Sequence, residues 1–318
     1  MPATTTTDYP ASGGVPAAGA LVEIVADGGP QLGYGHVGRC LAIWEALDGA
    51  AVFAVQDPGV AAFVRARGAT AGAAPSSPIV LLDHRAPTGA DAVGALQAAG
   101  RRVVLLDDLG AGRDIADLVV DPPTAAHWPP TQRPRLGGFE HVLLRQEVRA
   151  ARRAPAPAGV LLALGASDPT QLTPVLATAL AGAGVEGLVA NLGPGYGGPP
   201  PSDVALLRDP AGFVAALATT GLLIAAYGHA LLEAAHLGVP AVIVVTRAEH
   251  LEHARAFARN GTAQLVDMSE QPRPAELAEL VTVTLAQPDR LAAMAARGRA
   301  LVDGRGAERV AAAIRALA

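Results

Sequence analysis

The sequence predicts an α/β protein built from two doubly wound domains, and three observations carry that reading. Short runs of branched aliphatic residues recur at 21–25, 52–55, 79–83, 103–107 and 118–120, then at 159–164, 187–191, 204–207, 222–225, 241–245 and 263–266. Each run is continuous rather than alternating, which is the pattern of strands buried on both faces and hence of parallel sheets under helices. An Ala/Leu-rich stretch follows each run, so the order β-α-β-α is traced twice over. At 318 residues the chain holds two domains of ordinary size, each able to bury its own core.

Taken in order, residues 1–19 are rich in Thr, Pro, Gly and Ala and have neither a basic n-region nor a continuous apolar h-region. They are expected to be a disordered tail and not a secretory signal. The first Rossmann-like domain is expected over 20–150. A basic, then Pro/Ala-rich stretch, "RAARRAPAPAG", places a linker at 151–158. The second domain follows over 159–318. Its end, 289–318, is helical in composition with a break at Gly304 and Gly306, and the last helix is expected to pack back on the first domain. Two such domains facing a cleft would hold a ligand at the carboxyl ends of their strands.

Composition excludes several function classes. All 24 Lys+Arg residues are arginine, which removes a Walker phosphate loop, a Schiff base and a lysine general base. A net charge of −5 and 3% aromatic residues speak against a nucleic-acid partner. No apolar run is long enough to span a bilayer, so no membrane partner is expected. The single cysteine, Cys40, allows no intramolecular disulfide and no cysteine-rich zinc site, which fits a reducing cytoplasm.

The stretch "DGGPQLGYGHVGRCLAI" contains Gly33-Tyr34-Gly35-His36-Val37-Gly38, literally G-x-G-x-x-G. A dinucleotide fold needs the first glycine directly after the strand, so that the pyrophosphate meets the helix N-terminus. Here "ADGGPQL" intervenes, which speaks against that reading, although Asp57, 19 residues after Gly38, could mimic a ribose-binding acid. Alternatively Gly33 and Gly35 let the backbone pass close to a ligand, and His36 opens a helix over 36–47 as a proton-transfer group. A helix cap is the plainer use of the same histidine.

In the second half, "LLALGASDPTQLTPVL" is a buried strand, a small-residue turn and a helix. Ser167, Asp168 and Thr170 offer caps, and the amides after them offer an anion site. "LLIAAYGHALLEAAHLGVPAVIV" ends a strand at Ala225, turns at Tyr227-Gly228-His229 and enters a helix carrying Glu233. A glycine turn at a helix N-terminus suits a diphosphate, and a carboxylate one turn later suits two ribose hydroxyls. Glu233 could also be a solvated helix residue. His250 and His253, with Glu249 and Glu252, share a helix face, but they match no H-E-x-x-H pattern and lack a third ligand, so no metal is expected.

These residues resemble the nucleotide-sugar hydrolases of pseudaminic-acid biosynthesis, which remove UDP from UDP-2,4-diacetamido-2,4,6-trideoxy-β-L-altropyranose. That family shares the GT-B fold of the UDP-N-acetylglucosamine transferases. Its G-x-G-H-x-x-R-C-L run is matched by Gly33, Gly35, His36, Arg39, Cys40 and Leu41, with Asp27 before it. "VVLLDDLGAGRDIADLVVDP" resembles its paired-aspartate segment, "HVLLRQEVR" the end of its first domain, "LLALGASDP" its second-domain opening and "LLEAAHLGVPAVIV" its nucleotide-gripping helix.

The resemblance implies a GT-B-like fold and a UDP-linked amino or deoxy sugar hydrolysed at its anomeric carbon, with no cofactor. It implies His36 as general base, and Asp27, Gly33, Gly35, Arg39, Asp107 and Asp108 as substrate-binding residues. It implies Gly165, Ser167, Tyr227, Gly228, His229, Glu233, Glu249 and His250 as the nucleotide site. Two segments depart from the family: His229-Ala230 stands where a Ser/Thr is usual, and Ala248-Glu249-His250 where an Asn-Gln pair is usual. Two alternatives stay open, a glycosyltransferase using the same donor and a non-catalytic sugar-nucleotide-binding protein.

Overall fold

The computed structural model describes residues 19–29, 32–165, 167–202, 204–209 and 212–318. Most of the expected tail, 1–18, lies outside them. The chain divides into two compact units, Met1–Leu143 with Arg305–Ala318, and Leu144–Gly304.

The first unit carries strands β1 (Val22–Ala26), β2 (Ala51–Phe53), β3 (Thr70–Ala71), β4 (Ile79–Asp83), β5 (Arg102–Leu106), β6 (Leu118–Val120) and β7 (Arg135–Leu136). They form one sheet in the order β3-β2-β1-β4-β5-β6-β7, parallel throughout. Every residue of β1 and of β4 is buried, and apart from Glu23 and Asp83 both sequences are aliphatic. The helices α1 (Gly35–Ala46), α2 (Pro58–Arg65) and α3 (Ala90–Ala98) make the crossovers.

One sheet face packs Ile24, Leu81 and Leu106 against Leu41 and Ile43 of α1 and Val310 and Ile314 of the last helix, Gly306–Arg315. The opposite face packs Val80, Leu82 and Leu105 against Val93 of α3. The edge strands β3 and β7 have two residues each, too short to leave an apolar run in the sequence.

The second unit carries β8 (Ala158–Ala163), β9 (Leu188–Asn191), β10 (Ala205–Leu207), β11 (Thr220–Ala226), β12 (Ala241–Val245) and β13 (Ala263–Asp267). Their order is β10-β9-β8-β11-β12-β13, again parallel. Its helices are α4 (Gln146–Ala150), α5 (Leu172–Gly182), α6 (Phe213–Thr219), α7 (His229–Leu237), α8 (Leu251–Ala258), α9 (Pro274–Leu285) and α10 (Pro288–Leu301). The division of the chain falls before α4, ahead of the linker expected at 151–158. The reason is local bonding: the Arg153 guanidinium donates to the Leu217 and Ala218 carbonyls, and the Ala154 amide donates to Ala218. Among the described residues, no helix is long and apolar enough to cross a membrane.

In each sheet the strand order reverses beside the first strand of its unit, between β1 and β4 and between β8 and β11. Such a switch point leaves a crevice at the carboxyl ends of the two strands, where open α/β sheets hold ligands.

Candidate active site

At the first switch point the chain leaves β1 through a closed loop. The Gly29 amide donates to the Gly33 carbonyl at 3.0 Å, and the Gly33 amide returns a bond to Gly29 at 2.7 Å. Gly33 takes φ +80°, a left-handed backbone that a side chain would strain. That turn starts α1 at Gly35 and puts His36 and Arg39 three residues apart on one face of its first turn.

Both side chains converge on Asp83, the last residue of β4. His36 Nδ1 lies 2.6 Å from Asp83 Oδ1, while Arg39 donates from Nε to Oδ2 at 2.6 Å and from Nη2 to Oδ1 at 2.5 Å. The Cys40 thiol donates to Oδ2 at 3.4 Å, and Arg39 Nη1 reaches Asp107 Oδ2 at 2.7 Å. The Asp83 side chain is wholly buried, whereas that of His36 is 25% exposed.

Burial works against the Asp83 charge, but the Arg39 guanidinium outweighs it and holds the carboxyl well below the usual carboxylate range, with His36 adding to the effect. Arg39 is itself held above its ordinary value, because Asp83 and Asp107 outweigh its burial. The pair is therefore ionic and forked. Arg39 Nη2 lies 3.0 Å from the same Nδ1, and in the tautomer that donates from Nδ1 to Asp83, Nε2 is the nitrogen left to accept.

Asp27 and His84 form a second, looser pair at the same strand ends. His84 Nδ1 lies 3.4 Å from Asp27 Oδ1, and the Arg85 amide donates to Asp27 Oδ2 at 2.8 Å. The hydrogen bond from His84 lowers the Asp27 carboxyl despite burial. For His84, burial is outweighed by Asp27, and its imidazole is raised above the ordinary value.

Asp108 is placed differently from its neighbour Asp107. It is buried, and its carboxylate accepts the amides of Thr88 at 3.0 Å and Gly110 at 2.6 Å. Its role in the structure is to tie the loop after β4 to the loop after β5.

At the second switch point, Gly165 takes φ +101° after β8. The anion site expected at the following amides is already filled from within the chain. Asp168 accepts the Leu172 amide at 3.3 Å and the Thr173 amide and hydroxyl at 2.8 and 2.6 Å. A carboxylate bound there repels a second anion, so the α5 end is a cap.

At the α7 end, Gly228 precedes the helix in extended backbone with no side chain of its own to cap it, and His229 begins the helix. Glu233 follows one turn on and is buried, with Arg145 Nη2 at 3.3 Å. Burial raises the Glu233 carboxyl above its ordinary value, and Arg145 only partly offsets it. Tyr227 stacks on His253 with ring centroids 5.5 Å apart and lies 5.8 Å from His250. The two histidines thus flank an aromatic ring. Glu249 is exposed and paired with Arg247.

The structure therefore gathers Asp27, Gly33, Gly35, His36, Arg39 and Asp107 at one crevice, and Tyr227, Gly228, His229, Glu233 and His250 at the other. Sequence reasoning missed Asp83 and His84, and met Arg145 only within the arginine-bearing "HVLLRQEVR", without a role. The available signal was "LLDHR", an acid and a histidine ending a wholly apolar strand.

No protein-family model and no curated protein matches the sequence. Solved structures do match it. Acinetobacter baumannii MurG gives a TM-score of 0.63 at 17% identity, over 93% of this chain and 99% of that one. The spinosyn forosaminyltransferase SpnP gives 0.67 at 15% identity, over 93% and 98%. Anabaena HepE in complex with UDP-glucose gives 0.65 at 12% identity, over 93% and 99%. The fold is GT-B. In this GT-B chain the ionic cluster around Asp83 belongs to the first unit, and α7 with its buried glutamate belongs to the second.

Proposed function

We propose that this chain acts on a UDP-linked sugar at its anomeric carbon, with His36 as general base and UDP as leaving group. The observation that carries the reading is the His36–Asp83 pair, which orients an imidazole with its basic nitrogen left for substrate. In the step proposed, a water oxygen bonds to the anomeric carbon and gives its proton to His36 Nε2. The bond from that carbon to the diphosphate oxygen breaks, and its electron pair leaves with UDP. Positioned base catalysis of this kind contributes about 10²–10⁴-fold.

The diphosphate would rest at the glycine-led N-terminus of α7, where backbone amides and the helix dipole favour negative charge. Glu233 would take the ribose. Water as nucleophile, an amino or deoxy sugar as substrate, and a place in pseudaminic-acid-type nonulosonate biosynthesis rest on the G-x-G-H-x-x-R-C-L resemblance. Transfer to an acceptor hydroxyl is the second reading, favoured by the glycosyltransferase named among the structures that share the fold.

A panel of UDP-sugars incubated with the protein, with and without acceptors, tests the assignment through released UDP. His36→Asn should lower kcat at least ~10²-fold while leaving KM and UDP affinity nearly unchanged. Normal turnover by that variant would move the base elsewhere.

A further inference from the structure

The amino ends of β11, β12 and β13 carry arginines that the proposed chemistry does not use, at the opposite end of the second sheet from its crevice. The Arg153 guanidinium donates to the Leu217 and Ala218 carbonyls, just before β11. Arg299 of α10 lies on Gly238, before β12, where an added Cβ would stand 2.0 Å from its Nη1. Arg297 lies likewise on Gly261, before β13, with Nη1 2.6 Å from the place of a Cβ. Both glycines take left-handed backbone, at φ +69° and +71°, and their missing side chains leave the room that the guanidinium groups occupy.

Strand register makes these arginines a row. Leu223 of β11 pairs with Ala241 of β12, and Ala241 pairs with Ala263 of β13. The three strand entries are therefore level, and with neighbouring strands about 4.8 Å apart the row spans roughly 10 Å. Helix C-termini account for part of its charge. α6, α7 and α8 end at these turns, and each end offers about half an elementary negative charge. Three full positive charges exceed that.

Among the described residues no carboxylate pairs with Arg153, Arg297 or Arg299. Arg39, Arg113, Arg135 and Arg145, by contrast, are each paired with an acid. Burial and the Arg299 charge hold Arg153 below its ordinary value, the effect of a like charge nearby. Arg297 and Arg299 are exposed, and Arg153 is half-buried. The large apolar side chains exposed in this unit, Val175, Leu206 and Val283, belong to α5, β10 and α9 and not to these turns. A protein partner would want an apolar centre to its interface, so the row suits a small multivalent anion better. Guanidinium groups fork onto phosphate oxygens. One orthophosphate cannot span the row, whereas linked phosphates can.

We propose that Arg153, Arg297 and Arg299 form a binding site for a short linear polyphosphate, laid across the amino ends of β11, β12 and β13. The site lies at the C-terminal end of α7, a helix of nine residues and so about 14 Å long. The nucleotide diphosphate proposed above would lie at its other end. Binding in the row is independent of whether UDP-sugars are turned over.

Calorimetric titration of the full-length protein with inorganic tripolyphosphate tests the proposal, at low salt where surface charges are least screened. Wild type should bind tripolyphosphate, and added UDP should leave that affinity unchanged. Arg297→Gln and Arg299→Gln should each weaken binding at least ~10-fold, with thermal midpoints showing that both variants are folded. Arg65→Gln, which removes an equal charge from an exposed arginine of the first unit, should leave binding unchanged. On wild type, orthophosphate should bind at least ~10-fold more weakly than tripolyphosphate, and hexaglutamate should also bind more weakly. Absence of tripolyphosphate binding, its displacement by UDP, or full affinity in both folded variants overturns the proposal. An equal loss in Arg65→Gln overturns it as well, by reducing the effect to net charge. Equal binding of orthophosphate would leave only single-ion contacts, and tighter binding of hexaglutamate would assign the row to an acidic protein segment instead.

Discussion

His36 Nδ1 lies 2.6 Å from Asp83 Oδ1, although 47 positions separate the two residues. The contact exists because β1 and β4 are neighbours, so the helix that follows β1 starts beside the end of β4. Asp83 thereby fixes the imidazole and is fixed in turn by Arg39.

Asp83→Asn removes the charge that orients His36 and neutralises Arg39. If His36 is the base, kcat should fall at least ~10²-fold with KM little changed, because orientation matters most in the transition state. Stability should fall as well, by about 3–5 kcal/mol, since one member of a buried ion pair is left alone. The pH dependence has a definite sign. The folded-state value of Asp83 is lowered, so its contribution is present above the unfolded value of about 3.9 and is lost as pH falls through the folded one. Urea unfolding of both proteins from neutral pH to about pH 2 should show the gap closing only at the acid end. A gap that stays constant would mean that the lost contact is packing and not charge.

Gly110 offers a test of how tightly the loops around this crevice are tied. Its φ is an ordinary −71°, but a Cβ there would lie 2.1 Å from the Thr88 carbonyl oxygen and 2.5 Å from its nitrogen. Backbone atoms cannot rotate away, and that same Thr88 amide is held by Asp108. Gly110→Ala should cost about 1–3 kcal/mol through forced displacement of the loop. Gly94→Ala, inside α3 with open space around it, should instead stabilise by up to about 1 kcal/mol. Thermal midpoints of the two variants should therefore move in opposite directions. A neutral Gly110→Ala would show that the loop is slack.

Much of this architecture is legible in the sequence because parallel strands buried on both faces leave unbroken aliphatic runs. The ends of 79–83, 118–120 and 241–245 coincide with β4, β6 and β12. Side-chain partners were legible only where a local motif carries them. His36 and Arg39 belong to one helical turn and read together, whereas Asp83 joins them through strand order, which spacing does not reveal. Arg145 and Glu233 are 88 positions apart and meet because α4 packs on α7. Asp168 shows the converse difficulty. Its neighbours do suit an anion, but the anion is its own carboxylate, and only the folded backbone shows which amides it takes.

Glu233 combines a cost to the free fold with the expected ribose contact. Burial raises its carboxyl above the ordinary value, Arg145 offsets this only in part, and the nearby Glu147 charge adds to the rise. A group raised on folding contributes stability that is fully present below its unfolded value, about 4.3, and is lost as pH rises through the folded one. Near neutral pH the charged carboxylate therefore weighs against the folded state. Glu233→Gln, which resembles the protonated form, should be at least as stable as wild type at pH 7 and should lose that advantage by about pH 4. Its UDP affinity should nevertheless fall by roughly tenfold, the scale of a hydrogen bond to a charged group. Thermal unfolding at the two pH values, with calorimetric UDP titration at pH 7, separates the two effects. A residue kept for packing alone would lose stability and leave UDP binding unmoved. If the variant is less stable at pH 7 by more than about 1 kcal/mol, the Arg145 pair outweighs burial. If UDP binds it as tightly as wild type, the ribose contact belongs to another residue.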